Sequence, residues 1–139
     1  MTTYDEIYEL FLSKIEDYEI HQKLVVEIDF VKEMMFDFLR SAIPKFTYVT
    51  KDLSERDDSL NQFNNILTDM EKEILAILMV VEYLSPKIIR DEYIESRLGS
   101  KDYREFSPAN QLKVLMDLRQ NFINEANSLM IEYYYRQDI

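Results

Sequence analysis

The sequence predicts an all-α fold, a four- to five-helix bundle around a buried central helix with a long C-terminal helix. Three observations carry that expectation. A single glycine and three prolines in 139 residues leave too few turn formers for a β sandwich. Apolar residues recur at three- and four-residue spacing through most of the chain. Residues 74–81 are apolar without interruption, and a helix that is hydrophobic on every side is buried on every side.

The elements follow in order. Thr3 with Glu6 makes a capping box, and Asp5 and Glu6 suit the positive end of a helix dipole; Ile7, Leu10, Phe11 and Ile15 then mark the inner face of a helix over residues 4–15. Residues 16–28 read as a connector in which Leu24, Val25 and Val26 suit either a short strand or an early helical turn. Val31, Met34, Met35, Phe38 and Ala42, widened by Phe30, Leu39 and Ile43, predict a helix over 29–43, closed by Pro44. Residues 46–67 lack period: Thr47 to Thr50 look extended, and 51–59 are almost wholly polar. A loop this long is either a partner contact or a solvated excursion.

Thr68 and Glu71 form a second capping box, opening a helix over 68–84. Its all-round apolar stretch requires cover from the other helices or from a neighbouring subunit. Ser85-Pro86 signals a further start, for a helix over 86–98 or a kinked continuation, with Gly99 as its left-handed C-cap and a polar loop over 100–106. Ser107-Pro108 repeats the signal for a helix over 108–134, about 40 Å long at 1.5 Å per residue. Leu112, Leu115, Met116, Phe122, Ile123, Ala126, Leu129, Met130 and Tyr133 form its seam, which Arg119 interrupts. The length suits a single domain over residues 1–139.

Most chemistry is excluded by inventory. With no cysteine there are no disulfides, thiolate sites or cysteine nucleophiles. His21, the lone histidine, reads as an ordinary surface or half-buried residue, and no Gly-x-Ser-x-Gly elbow accompanies it. One histidine also fails the Glu-x-x-His pairs of a di-iron bundle. Glu16/Glu19 and Asp91/Glu95 read as solvated faces. Asp52, Ser54 and Asp58 occupy positions one, three and seven of a calcium-loop spacing, but Asp57 at six and Phe63 at twelve break it. No catalytic, cofactor-binding or metal-ligating residue is assigned, and the chain is expected not to be an enzyme. The N-terminus has no basic leader and the longest apolar run is eight residues, so the expectation is a cytoplasmic protein, or one assembled from a cytoplasmic pool, without membrane contact.

The C-terminus is the most unusual stretch. Tyr133, Tyr134 and Tyr135 point in three directions on a helix, so one core cannot take them all. With Arg136 and Ile139 they read as a partner interface, the bland alternative being tyrosines half-buried at the end of the bundle. Lys51, Asp52, Glu55, Arg56, Asp57 and Asp58 are the second candidate, as an inter-subunit or channel loop.

Four stretches taken together carry a resemblance: Ser41-Ala42-Ile43-Pro44-Lys45-Phe46, Leu53-Ser54-Glu55-Arg56-Asp57-Asp58, residues 74–86 ending Glu82-Tyr83-Leu84-Ser85-Pro86, and Ser107-Pro108-Ala109-Asn110-Gln111-Leu112. The chain resembles the head–tail connector (adaptor, or head-completion) proteins of tailed bacteriophages, particularly of Gram-positive hosts. The resemblance spans most of the chain, and its motifs are structural. It implies a subunit of a ring oligomer, a dodecamer, that sits beneath the portal protein in the virion neck. There it extends the DNA channel and joins the capsid to the next neck or tail-completion protein, after assembly in the host cytoplasm. It implies portal docking for Tyr133 to Ile139 and a channel or inter-ring role for the 51–59 loop. No hairpin that would plug or line a channel is legible, so gating is not implied. The rival reading is a non-viral acidic adaptor or regulator that binds one protein partner; a carboxylate-metal hydrolase is a distant third.

Charge bears on both of the leading readings. The chain carries 27 acidic and 16 basic residues, net −11, and its first forty residues hold ten acids against four bases. Such a surface repels the phosphate backbone, so DNA would pass without specific binding. The isolated protein is expected to give no mobility shift with duplex DNA at physiological salt; a clear shift there would refute a low-friction acidic channel wall.

Overall fold

A computed structural model describes residues 1–15, 18–106 and 111–137, with side chains described at 1–15, 20–89 and 112–136. Its elements are β1 (Thr2–Thr3), α1 (Tyr4–Lys14), α2 (Tyr18–Val26), α3 (Ile28–Ala42), a 3-10 turn (Ile43–Lys45), β2 (Arg56–Asp57), β3 (Gln62–Phe63), α4 (Asp69–Phe106) and α5 (Gln111–Gln137). The fold is an all-α bundle with a small antiparallel sheet at one side.

α4 is the axis. α1, α3 and α5 all pack on it, and every residue of 74–81 is buried by this one chain. The cover that the sequence demanded is therefore intramolecular, and this stretch is not a lateral surface for a neighbouring subunit. Aromatic rings lock α1 and α3 onto it: Phe11 and Phe38 both meet Tyr83 edge-on, at 5.8 and 6.0 Å between centroids. Such tilted contacts suit the ring quadrupoles and add to the area buried.

Both capping boxes form. Glu6 accepts the Thr3 backbone N–H at 2.9 Å. Glu71 accepts the Thr68 N–H at 2.7 Å while Thr68 Oγ1 accepts the Glu71 N–H at 3.2 Å. The helix expected over 29–43 is α3, whose last turn tightens to 3-10 at Pro44.

Several expectations need correction. Residues 18–26 are helical, so the open choice between strand and helical turn resolves to α2. Leu24 is half-buried, whereas Val25 and Val26 are exposed, which is why their apolar run carried no periodic signal. The open choice at Ser85-Pro86 between a new helix and a continuation resolves to continuation, because α4 runs through Pro86. Ser85 and Pro86 are helix-interior residues there, and the Ser85 hydroxyl donates back to the Val81 carbonyl at 2.9 Å. Gly99 also lies within α4 instead of ending it, and the polar loop expected over 100–106 is helix. The Ser107-Pro108 cap lies outside the described residues.

The 46–67 stretch is not extended at its start: Thr47 and Tyr48 form a turn. It also contains a hairpin that sequence reading missed. β3 pairs with β2 on one edge and with β1 on the other, so Phe63 faces both Thr2 and Arg56 in register. Strands of two residues give no alternation to read. Thr2 is buried, and its Oγ1 accepts the Leu67 N–H at 2.8 Å, which ties the N-terminus to the entry of α4.

Ile77, fully buried within the apolar stretch of α4, tests the axis. Ile77→Ala is expected to lower unfolding free energy by about 2–5 kcal/mol, read from chemical denaturation. A loss under about 1 kcal/mol would show that the core can collapse around the cavity and that α4 is not its centre.

Candidate functional site

The C-terminal turn of α5 divides its three tyrosines. Tyr133 is 2% exposed, whereas Tyr134 is 43% and Tyr135 64% exposed. The helical spread read from sequence is therefore present, but Tyr133 is withdrawn from the candidate interface: it belongs to the core. Its ring stands edge-on to Phe46 at 5.3 Å. Its hydroxyl donates to Glu71 Oε2 at 2.7 Å and has two lone pairs left, which face the Thr50 N–H at 3.1 Å and Thr50 Oγ1 at 2.8 Å. Since the single phenolic hydrogen goes to the carboxylate, Thr50 Oγ1 is the donor of the last bond.

Glu71 is 1% exposed, the one buried carboxylate of the described residues. Besides Tyr133 and the Thr68 N–H, it accepts the Lys51 ammonium. Burial pushes its carboxyl pKa up, but the Lys51 ammonium, the Thr68 N–H and the Tyr133 hydroxyl outweigh burial and hold it below the ordinary glutamate range. Sequence reading saw Glu71 only as a capping residue. Its partners lie 20 and 62 positions away, and no local pattern announces them.

Tyr134 and Tyr135 stand outside this hub with their rings 5.6 Å apart and tilted by 72°. A third ring joins them. Tyr48, 57% exposed, meets Tyr134 at 4.8 Å between centroids. Its backbone sits in the left-handed region at φ 67°, an uncommon conformation for an aromatic residue that costs of order 1–3 kcal/mol. The turn that forces it is held on both sides, by Thr47 Oγ1 on Met130 Sδ at 3.4 Å and by Thr50 on Tyr133. Tyr48 was missed because a left-handed tyrosine has no sequence signature. Arg136 is exposed and pairs within its own helix, with Glu132 Oε1 at 2.6 Å. Ile139 lies outside the described residues.

The 51–58 candidates are less free than the sequence suggested. Lys51 is consumed by Glu71, and that half-buried pair is a structural tie, not a displayed charge. Asp52 accepts the Ser54 N–H and hydroxyl, and Asp57 accepts those of Ser59 and the Leu60 N–H. These turns hold both carboxyls below the ordinary aspartate range, through the serine hydroxyl bond first. Arg56 donates to the Leu53 carbonyl and to Asp58, and Asp58 also accepts the Tyr4 hydroxyl at 2.5 Å. Burial first, then that bond, raises the Tyr4 pKa. Glu55 is exposed, and its backbone carbonyl accepts the Asn64 N–H. The segment is a strap bound to the body of the protein, and only Asp52, Glu55 and Asp58 show exposed side chains among the six.

Among the described residues no three His, Asp or Glu side chains gather as a metal site, and no helix is long and apolar enough to cross a membrane. His21 is exposed. Scans against protein-family models, curated proteins and solved structures found no match.

The depressed Glu71 pKa implies stability that is present above the unfolded carboxyl value and lost as pH falls through the folded one. Glu71→Gln is expected to lower unfolding free energy at pH 7 by about 1.5–3 kcal/mol, the worth of a charged hydrogen bond. The gap between variant and wild type should close in acid. Denaturation curves that keep a constant gap down to pH 3 would show that the charge is not the source.

Proposed function

We propose that this protein is a non-enzymatic structural adaptor, a head–tail connector subunit of a tailed phage that docks on the portal protein through Tyr48, Tyr134 and Tyr135. The observation that carries the reading is the exposed aromatic platform held rigid by the Tyr133–Glu71–Thr50 hub. Exposed aromatic rings whose backbone is already fixed lose little entropy on binding, and buried tyrosines rank among the strongest interface residues. The resemblance read in the sequence supports the portal as the partner, and it implies a ring, a dodecamer, in the virion neck with the next neck protein as its second contact. The net charge of −11 suits a channel wall past which DNA slides.

One observation favours the second reading, an adaptor for a single protein partner outside a virion. Residues 74–81 are covered within the chain, so they offer no lateral surface of the kind a ring needs. The two readings share the platform and differ in assembly.

Tyr48→Ala with Tyr134→Ala is expected to leave the helical circular dichroism signal and melting temperature close to wild type, since both side chains are exposed. Co-purification with portal-bearing capsids should fall by at least tenfold, two hot-spot residues being worth about 2 kcal/mol or more each. Electron microscopy of wild-type protein mixed with portal should show stacked rings. Folded protein that never engages portal, with or without the substitutions, would remove the connector reading and leave the single-partner adaptor.

A further inference from the structure

Arg119, which interrupts the apolar seam of α5, has a place that the aromatic platform does not explain. A cavity of about 340 Å³ opens between α4 and α5, lined by Ser85, Ile88, Ile89, Met116, Arg119 and Gln120. That volume is at the small end of the range for ligand sites. The Arg119 side chain is half-buried there, and its Nε–H donates to Ser85 Oγ at 2.9 Å. Ser85 spends its own hydrogen on the Val81 carbonyl, so its oxygen is fixed as an acceptor and sets the plane of the guanidinium. Among the described residues no carboxylate lies within ion-pair distance of Arg119, and its two terminal nitrogens have no acceptor. In a chain with 27 acidic residues, a half-buried arginine to which no described residue offers a carboxylate is a pre-oriented fork whose anion none of those residues supplies. Beside it, Ile89 is 66% and Met116 47% exposed, and Ile88 is buried.

We propose that this cavity binds a carboxylate carried on a short aliphatic stem, the two oxygens on the terminal nitrogens of Arg119 and the stem on Ile88, Ile89 and Met116. Gln120, whose amide nitrogen donates to Asn124 Oδ1 at 2.9 Å, lines the same cavity. Two sources carry that chemistry: a free aliphatic acid, or a glutamate side chain of a docking protein. The proposal does not depend on the connector reading, because no residue of the aromatic platform takes part.

The test is titration of full-length protein labelled at methionine methyl carbons, with hexanoate, hexanol and acetyl-Ala-Glu-Leu-amide as probes, read by NMR at Met116. Hexanoate or the peptide is expected to shift the Met116 methyl saturably, with hexanol at least tenfold weaker. Peptide binding tighter than hexanoate assigns the site to a protein glutamate, and the reverse order assigns it to a free acid. Arg119→Gln should weaken the charged probes at least tenfold. Ile89→Glu, at an exposed position, should do the same by occupying the guanidinium from within, which keeps the test open if Arg119→Gln fails to fold. Equal binding of hexanoate and hexanol, no saturable shift with either charged probe, or full binding by both variants would overturn the proposal.

Discussion

The Glu71 carboxylate joins three parts of the chain that share no continuous secondary structure. Oε1 accepts the Lys51 ammonium and the Thr68 N–H, and Oε2 accepts the Tyr133 hydroxyl. The start of α4, the 46–67 strap and the end of α5 therefore meet at one buried anion. A buried carboxylate is tolerated only when its lone pairs are met, and leaving its partners without it would strand a cation and a phenol. That requirement sets where the strap lies and how far α5 may turn about its axis.

Rigidity at the surface follows from this buried chemistry. Because Tyr133 is fixed at hydroxyl and ring, Tyr134 and Tyr135 leave the helix in set directions. Because Thr50 bonds to the Tyr133 hydroxyl and Thr47 to Met130, the turn between them holds Tyr48 in its left-handed backbone and against Tyr134. The strain is local and the restraints on either side of it sustain it. An aromatic surface on so short a tether to the core is pre-organised, the property that turns exposed area into affinity.

Charge is distributed with similar economy. Lys14 pairs with Glu73, Lys45 with Glu82 and Lys51 with Glu71, so three lysines from three separate segments fasten onto acids along one stretch of α4. Of the three, the Lys45–Glu82 pair has an exposed lysine and adds little by itself. Arg119 of α5 stands apart: among the described residues it is oriented by Ser85 of α4 and not by an acid.

Much of the architecture was legible in the sequence, for local reasons. Both capping boxes, the stripes of α1 and, apart from the exposed Phe30, of α3, and the fully buried stretch of α4 are set by residues within one or two turns of each other, the range over which pattern and cap chemistry act. The split fates of the three C-terminal tyrosines were also readable as geometry, though not which of them would be buried. Tertiary structure decided the rest. Pro86 and Gly99 carry stop signals worth a few kcal/mol or less, and α4 runs through both. β1 joins the small sheet only because Thr2 pairs with Phe63, some sixty positions distant. Glu71 with Lys51 and Tyr133, Tyr48 with Tyr134, and Ser85 with Arg119 are side-chain meetings across long separations. No local pattern encodes them, because each depends on where two independently formed segments come to rest.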